Sequence, residues 1–172
     1  IFEVLIVDNA SSDRTSEIAV AAIQSLNLNG RVLLEPNLGK INAFLKGIHE
    51  ARSELVSIID DDNFIESGFI RYTLELFERY PNVGMTGSLN SICIDQPTPS
   101  WFRWASGRYA CAQPWLDEIE KRNSEGVVVA KTGVIAGAGS TFLAKPLQDC
   151  LDKGYNFFND TQRGEKMKVT GE

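Results

Sequence analysis

Histidine occurs once in these 172 residues and cysteine three times, so little is present of what zinc sites are built from. Cys93, Cys111 and Cys150 lie far apart with no CxxC spacing. An odd, sparse count suits reduced thiols in a cytosolic protein, and the expectation is three small, buried side chains. His49 sits in a helical stretch with no Cys or His near it, and is expected to be satisfied or exposed rather than a ligand. Long hydrophobic runs are missing too; the longest are strand-sized, too short to span a bilayer. No charged leader with an apolar core opens the chain. Positive charge is scarce, with 17 Lys and Arg against 23 Asp and Glu and a net charge of −6. An acidic chain repels phosphate backbones, which argues against nucleic acid as a partner. No polybasic patch is there to hold a membrane surface.

What is present suffices for one domain with one core: 43% hydrophobic residues and 23% charged, the balance of an ordinary globular protein. The first part of the chain alternates between two periodicities. Val4 to Val7 is a continuous apolar run ending at Asp8, the mark of a strand buried on both faces. Asp13 is a candidate N-cap for a helix with Ile18, Ala19, Ala22, Ile23 and Leu26 on one stripe, stopped by Asn29-Gly30. Arg31 to Glu35 reads as a second strand, and Asn37 as the cap of a helix with Ile41, Phe44, Leu45 and Ile48 inward. Leu55 to Ile59 reads as a third strand. A helix over about 67–79 turns Ile70, Leu74 and Phe77 inward, and Val83 to Thr86 starts a fourth strand. Strands separated by helices of this length predict βαβ units and a parallel sheet.

After Gly87 the rhythm breaks. Residues 89–125 hold Pro97, Pro99, Pro114 and all three tryptophans (Trp101, Trp104, Trp115) without a clear period. Val127 to Ala130 and Val134 to Ala136 look like paired strands, and Ser140 to Leu143 like another. Pro146 suits the first turn of a helix through Leu151, with Gly154 ending it.

Open parallel sheets bind ligands outside the carboxyl ends of their strands. Three successive strands here end in acids: Asp8, Glu35, and Asp60 with Asp61 and Asp62. Acids gathered on one rim repel each other unless a countercharge is present. Carboxylates are hard oxygen ligands, so the expected cation is Mg²⁺ or Mn²⁺, sharing its shell with substrate phosphates. Phosphohydrolases, nucleotidyltransferases and phosphoacceptor domains fit that chemistry as well. A solvated acidic turn before the next helix is the bland alternative.

An ordered set of segments narrows the choice. Val7-Asp8-Asn9-Ala10-Ser11-Ser12-Asp13 resembles the "VDDGSTD" segment of the inverting glycosyltransferase family 2. Glu35-Pro36-Asn37-Leu38-Gly39-Lys40, with Ala43 and Gly47, is similar to its "NxGkxxAxnxG" segment. Asp60-Asp61-Asp62-Asn63 falls where its DxD motif stands. Gly137-Ala138-Gly139-Ser140 to Ala144 resembles its "GagxxfR" strand. Arg163-Gly164 and Thr170-Gly171-Glu172 resemble the approach to its "GED" motif. Each is weak singly, but together they run the length of the chain in order.

The resemblance implies an α/β GT-A fold, the Rossmann-like nucleotide-diphospho-sugar transferase architecture, with a mostly parallel sheet flanked by helices. It implies one catalytic domain over 1–172, with a nucleotide-binding part at 1–88 and an irregular acceptor-side part at 89–172. Asp8 or Asn9 would meet the base, since Asn9 replaces the family's second aspartate. Asn37, Lys40 and Asp61 would lie at the nucleotide-sugar. Asp60 would hold the ribose hydroxyls and share the metal with Asp62. The donor would be a UDP-, GDP- or dTDP-sugar, and the acceptor a polysaccharide, lipopolysaccharide or other lipid-linked glycan. The expected location is cytoplasmic, with peripheral membrane association of the full-length protein left open. The family's base is the aspartate after "GE", and this sequence stops at Glu172, its motif neighbour. The family's usual first strand is missing ahead of Ile1 as well, so the chain is expected to be a clipped segment. Ala10 and Ala144 stand where the family favours Gly and Arg.

Two further readings belong to other classes. A sugar nucleotidyltransferase carries a Gly-rich basic loop after its first strand, and Asn9 to Asp13 has neither glycine nor a basic residue. A non-catalytic nucleotide-binding or phosphoacceptor module needs a Lys at a later strand end, and Lys131 and Lys145 are poorly placed for it. Trp101 and Trp104 could stack a sugar ring or serve as packing anchors.

Overall fold

A computed structural model describes residues 2–88, 90, 93, 97–102 and 137–155. The expected strands at Val127–Ala130 and Val134–Ala136, together with Cys111, Trp104, Trp115, Lys131, Arg163 and Glu172, lie outside the described residues. The chain divides into two compact units, one within 1–56 and 143–172, the other within 57–142.

In the first unit, β1 (Val4–Asp8) and β2 (Gly30–Leu34) pair in parallel, from Val4 opposite Gly30 to Asp8 opposite Leu34. Between them runs α1 (Thr15–Ser25), so this is the βαβ arrangement that the alternating periodicities predict. Gly30 opens β2 rather than closing α1. A Cβ there would come within 2.9 Å of the Val4 carbonyl oxygen, so only glycine lets the strands approach at this end. The helix instead stops where Asn27 turns to a φ of 49°. β1 is half-buried apart from Asp8, short of the full burial expected. Among the described residues β2 is its one strand neighbour.

The buried stripe of α1 is narrower than its sequence suggests. Ala19 and Ile23 are buried, but Ile18 and Leu26 are exposed, since Ile18 lies about 100° around the helix from Ala19 and Leu26 caps the end. Asp13 is not the N-cap, which falls to Arg14. Its Oδ1 still accepts the Thr15 N–H at 3.0 Å, an Asx turn one residue early.

α2 (Lys40–Glu50) lies against β1, and α4 (Ala144–Asp152) packs against α2. Among the described residues Ile48 is the largest fully buried side chain. Gln148 Nε2 donates to the Ile48 carbonyl at 2.9 Å, tying the two helices together. Pro146 occupies the first turn of α4, and Gly154 follows its end with a φ of 79°, both as expected. Cys150 projects from the solvent side of α4, and Cys93 is exposed too, which corrects the expectation of buried thiols. The inward face of α4 is taken by Ala144, Leu147 and Leu151, and position 150 lies about 90° around the helix from the middle of that face. His49 is exposed, as anticipated.

The second sheet runs β3 (Leu55–Ser57), β5 (Thr141–Leu143), β4 (Met85–Thr86), and the unit boundary passes through β3 and β5. β4 and β5 are antiparallel, Met85 opposite Phe142 and Thr86 opposite Thr141, so the strands are mixed rather than uniformly parallel. In the second unit, α3 (Phe69–Arg79) turns Phe69, Thr73, Leu76 and Phe77 to the half-buried side. Ile70 and Leu74, expected inward, are exposed. Both sets satisfy a helical period, and packing selects the one centred near Thr73.

Candidate functional site

In the first unit the predicted residues cluster where β1 and β2 end. Asp8 closes β1 and is buried, at 6% exposure. Its Oδ1 accepts the Ser11 N–H at 2.9 Å, and its Oδ2 accepts the Ser16 hydroxyl. The hydrogen bonds from Ser11 and Ser16 hold the Asp8 carboxyl below the usual carboxylate range, against the opposing effect of burial. A buried carboxylate bonded in this way holds the 8–11 turn, and the same bonds favour its ionised form. Sequence reading missed both serines as its partners.

Glu35 is engaged locally as well. Its Oε1 accepts from both the backbone N–H and the Nδ2 of Asn37, each at 2.8 Å. Asn37 is therefore part of the 35–39 loop rather than the cap of α2, whose N-cap is Gly39. Asn9, one residue beyond β1, reaches across to that loop. Its Nδ2 donates to the carbonyls of Glu35 and Asn37, and its Oδ1 accepts the Gly39 N–H. Lys40 follows as the exposed first residue of α2. Two of the three strand-end acids thus draw donors from the chain itself. Asp60 to Asp62 form the third of these acidic segments.

Those residues lie in the second unit, just past β3. The Gly139 N–H donates to the Ile58 carbonyl and the Ile58 N–H to the Ser140 carbonyl, both at 2.8 Å. Ser57 and Thr141 share a hydroxyl–hydroxyl bond of 2.6 Å. The segment similar to the family's "GagxxfR" strand therefore braces the approach to the acids. A tight turn then follows. Asn63 accepts the Asp60 N–H at 3.1 Å and returns its own N–H to the Asp60 carbonyl at 3.1 Å. Its Nδ2 also donates to Asp62 Oδ1 at 3.1 Å. Asp60 is half-buried, while Asp61 and Asp62 are exposed. Asn63 thus orients Asp62, a role that spacing alone did not reveal.

Among the described residues no group of three or more His, Cys, Asp or Glu side chains is arranged to hold a metal alone. The carboxylates at 60–62 have the hard oxygen chemistry that would suit a cation held by one or two of them, with phosphate and water completing its shell. Ala144 is buried at 2% exposure, so the place of the family's arginine is filled by core packing. Lys145 pairs with Asp149 along α4, which removes it further from a phosphoacceptor role. Trp101 is half-exposed and meets Phe102 edge-on at 6.1 Å between ring centres. No helix among the described residues is long and apolar enough to cross a membrane.

A stretch of 87 residues is 36% identical to the poly-beta-1,6-N-acetyl-D-glucosamine synthase of Staphylococcus epidermidis, covering 50% of this chain and 21% of that protein. The synthase of the same name from Staphylococcus aureus (strain COL) is 33% identical over 87 residues, with the same coverage of 50% and 21%. The chain thus spans about a fifth of the length of the curated relatives it matches. No solved structure gives a match. Residues 1–151 match the sequence profile of glycosyl transferase family 2. A profile match over that length, on strands and helices in the order described, means that this chain belongs to glycosyl transferase family 2 and has the GT-A fold.

Proposed function

We propose that this chain is the nucleotide-sugar-binding part of an inverting glycosyltransferase that extends a polysaccharide from a nucleotide-diphosphate donor. The observation that carries the reading is the family match over residues 1–151, which takes in every predicted site residue except Glu172. The synthases that resemble it make a polysaccharide, which favours that acceptor over lipopolysaccharide and lipid-linked glycans.

Each residue is given a role that its surroundings support. Asp8 fixes the 8–11 turn and offers its remaining lone pairs as acceptors to a base N–H. Asn37 and Lys40 flank the nucleotide from the 35–39 loop and the start of α2. Asp60 accepts from the ribose hydroxyls, and Asp61 lies beside the diphosphate. Asp62, oriented by Asn63, holds Mg²⁺ or Mn²⁺ together with Asp60. When bound, the cation supplies Lewis-acid stabilisation of the charge on the departing nucleoside diphosphate. Inversion requires a carboxylate base to take the acceptor's proton as its oxygen attacks opposite the leaving group. By resemblance that base is the aspartate of the family's motif whose glutamate matches Glu172.

Calorimetry with UDP, GDP and dTDP, each with Mn²⁺ and with EDTA, tests the reading. One of the three nucleotides should bind in Mn²⁺ and lose its affinity in EDTA or in the Asp62→Ala variant. Equal affinity in EDTA, or an unaffected variant, would remove the DxD assignment.

A further inference from the structure

Asn9 stands where the family's motif carries a second aspartate, yet its surroundings call for an amide. Its Nδ2 donates to the Glu35 carbonyl at 3.1 Å and to the Asn37 carbonyl at 2.6 Å. Its Oδ1 accepts the Gly39 N–H at 2.7 Å. Two carbonyls on one side and an N–H on the other fix which end of the amide is nitrogen. Both donors of the side chain are then spent within the protein. A carboxylate would keep the Gly39 bond but set a charged oxygen against two carbonyl oxygens.

The loop so held ends at Gly39, whose φ of 130° is one that L side chains rarely adopt. α2 starts at the next residue. One side chain from the end of β1 therefore sets both the path of the loop and the starting point of the helix that carries Lys40. We infer that Asn9 is a positioning residue for the 35–39 loop, shaping the nucleotide-binding surface through three hydrogen bonds rather than reading the base itself. The inference rests on the nucleotide-binding role proposed above.

The test uses the ¹⁵N-labelled chain with the Asn9→Ala and Asn9→Asp variants. Amide exchange is followed at Gly39 and, as core references in the same unit, at Ala19 and Ile23. Nucleotide affinity is measured in Mn²⁺ with UDP, GDP and dTDP. Asn9→Ala should speed exchange at Gly39 and weaken the preferred nucleotide, each by about tenfold, the scale of one or two neutral hydrogen bonds. Asn9→Asp should weaken the nucleotide further, while exchange at Ala19 and Ile23 stays unchanged in both variants. Asn9→Asp is nearly isosteric and carries the test if the alanine variant fails to fold. Unchanged exchange at Gly39, wild-type affinity in Asn9→Asp, or equal loosening at Ala19 and Ile23 would each overturn the positioning role alone. A wild-type chain that binds none of the three nucleotides would overturn the glycosyltransferase reading and this inference with it.

Discussion

The guanidinium of Arg31 grips Glu50 twice, through the carboxylate at 2.9 Å and the backbone carbonyl at 2.6 Å. Its Nε turns the other way, to Glu3 at 3.0 Å. Arg31 lies on β2, Glu3 just before β1, and Glu50 at the last residue of α2, so one planar group ties three segments of the first unit. Lysine can supply the charge but not the fork. Arg31→Ala should lower the thermal midpoint, and Arg31→Lys should retain most of that loss. Full recovery with lysine would mean that only net charge matters here.

Acid should destabilise the chain in a definite window. Hydrogen bonds from Ser11 and Ser16 lower the Asp8 carboxyl, those from Thr15 lower Asp13, and those from Arg31 and Lys46 lower Glu50. Groups whose folded values are depressed bind fewer protons in the folded chain than in the unfolded one, so stability rises with pH across that interval. The contribution is complete above the ordinary carboxylate range, about pH 4 to 5, and is lost as pH falls through the lower folded values. Urea unfolding at a series of pH values should show a plateau near neutrality and a decline below about pH 4. Asp8→Ala should be less stable at neutral pH and shallower in its acid response. Equal slopes for the two proteins would show that the Ser11 and Ser16 bonds do not stabilise the ionised form.

Ala10 sits at a φ of 53°, in the left-handed region, at the position where the family's motif has glycine. A Cβ in that conformation costs roughly 1–2 kcal/mol, part of which the lower unfolded-state freedom of alanine offsets. Ala10→Gly should therefore stabilise the chain by about 0.5–1 kcal/mol in chemical denaturation. The opposite sign is expected for Gly39→Ala, at a φ of 130°, with a loss of about 1–3 kcal/mol. Destabilisation by Ala10→Gly would show that the left-handed conformation at that residue carries no strain for glycine to relieve.

Ile48 is 1% exposed, and few other side chains among the described residues are fully covered. Ile48→Ala should cost about 2–5 kcal/mol, and Ile48→Val about 0.5–1.5 kcal/mol. Because α4 donates to the backbone at this residue through Gln148, exchange protection in α4 should fall along with that in α2. Protection lost in α2 alone would separate the two helices energetically.

The order of elements was readable because period is a local property. The apolar run at Val4–Val7 reads as a strand whatever lies elsewhere, and Pro146 and Gly154 bracket a helix by backbone geometry alone. Which side of a helix is buried was not readable in the same way. α3 carries two overlapping apolar stripes, and both Ile70 and Phe69 are compatible with the period. Cys150 was misjudged for a related reason, since residue type sets an average tendency to be buried but not the direction of a side chain.

The sequence by itself determined that acids stand where strands end, and the spacing of its motifs was enough to indicate the family. Those features are written in neighbouring residues and survive without knowledge of packing. Local turns join Asp8 to Ser11 and Glu35 to Asn37, three and two residues on, whereas tertiary structure alone decided that Ser16, eight residues on, meets Asp8. It decided too that Asn9 joins a loop 26 to 30 residues away, and that β4 and β5 run antiparallel. Such pairings depend on which groups folding brings within hydrogen-bond distance, and at those separations no local pattern encodes them.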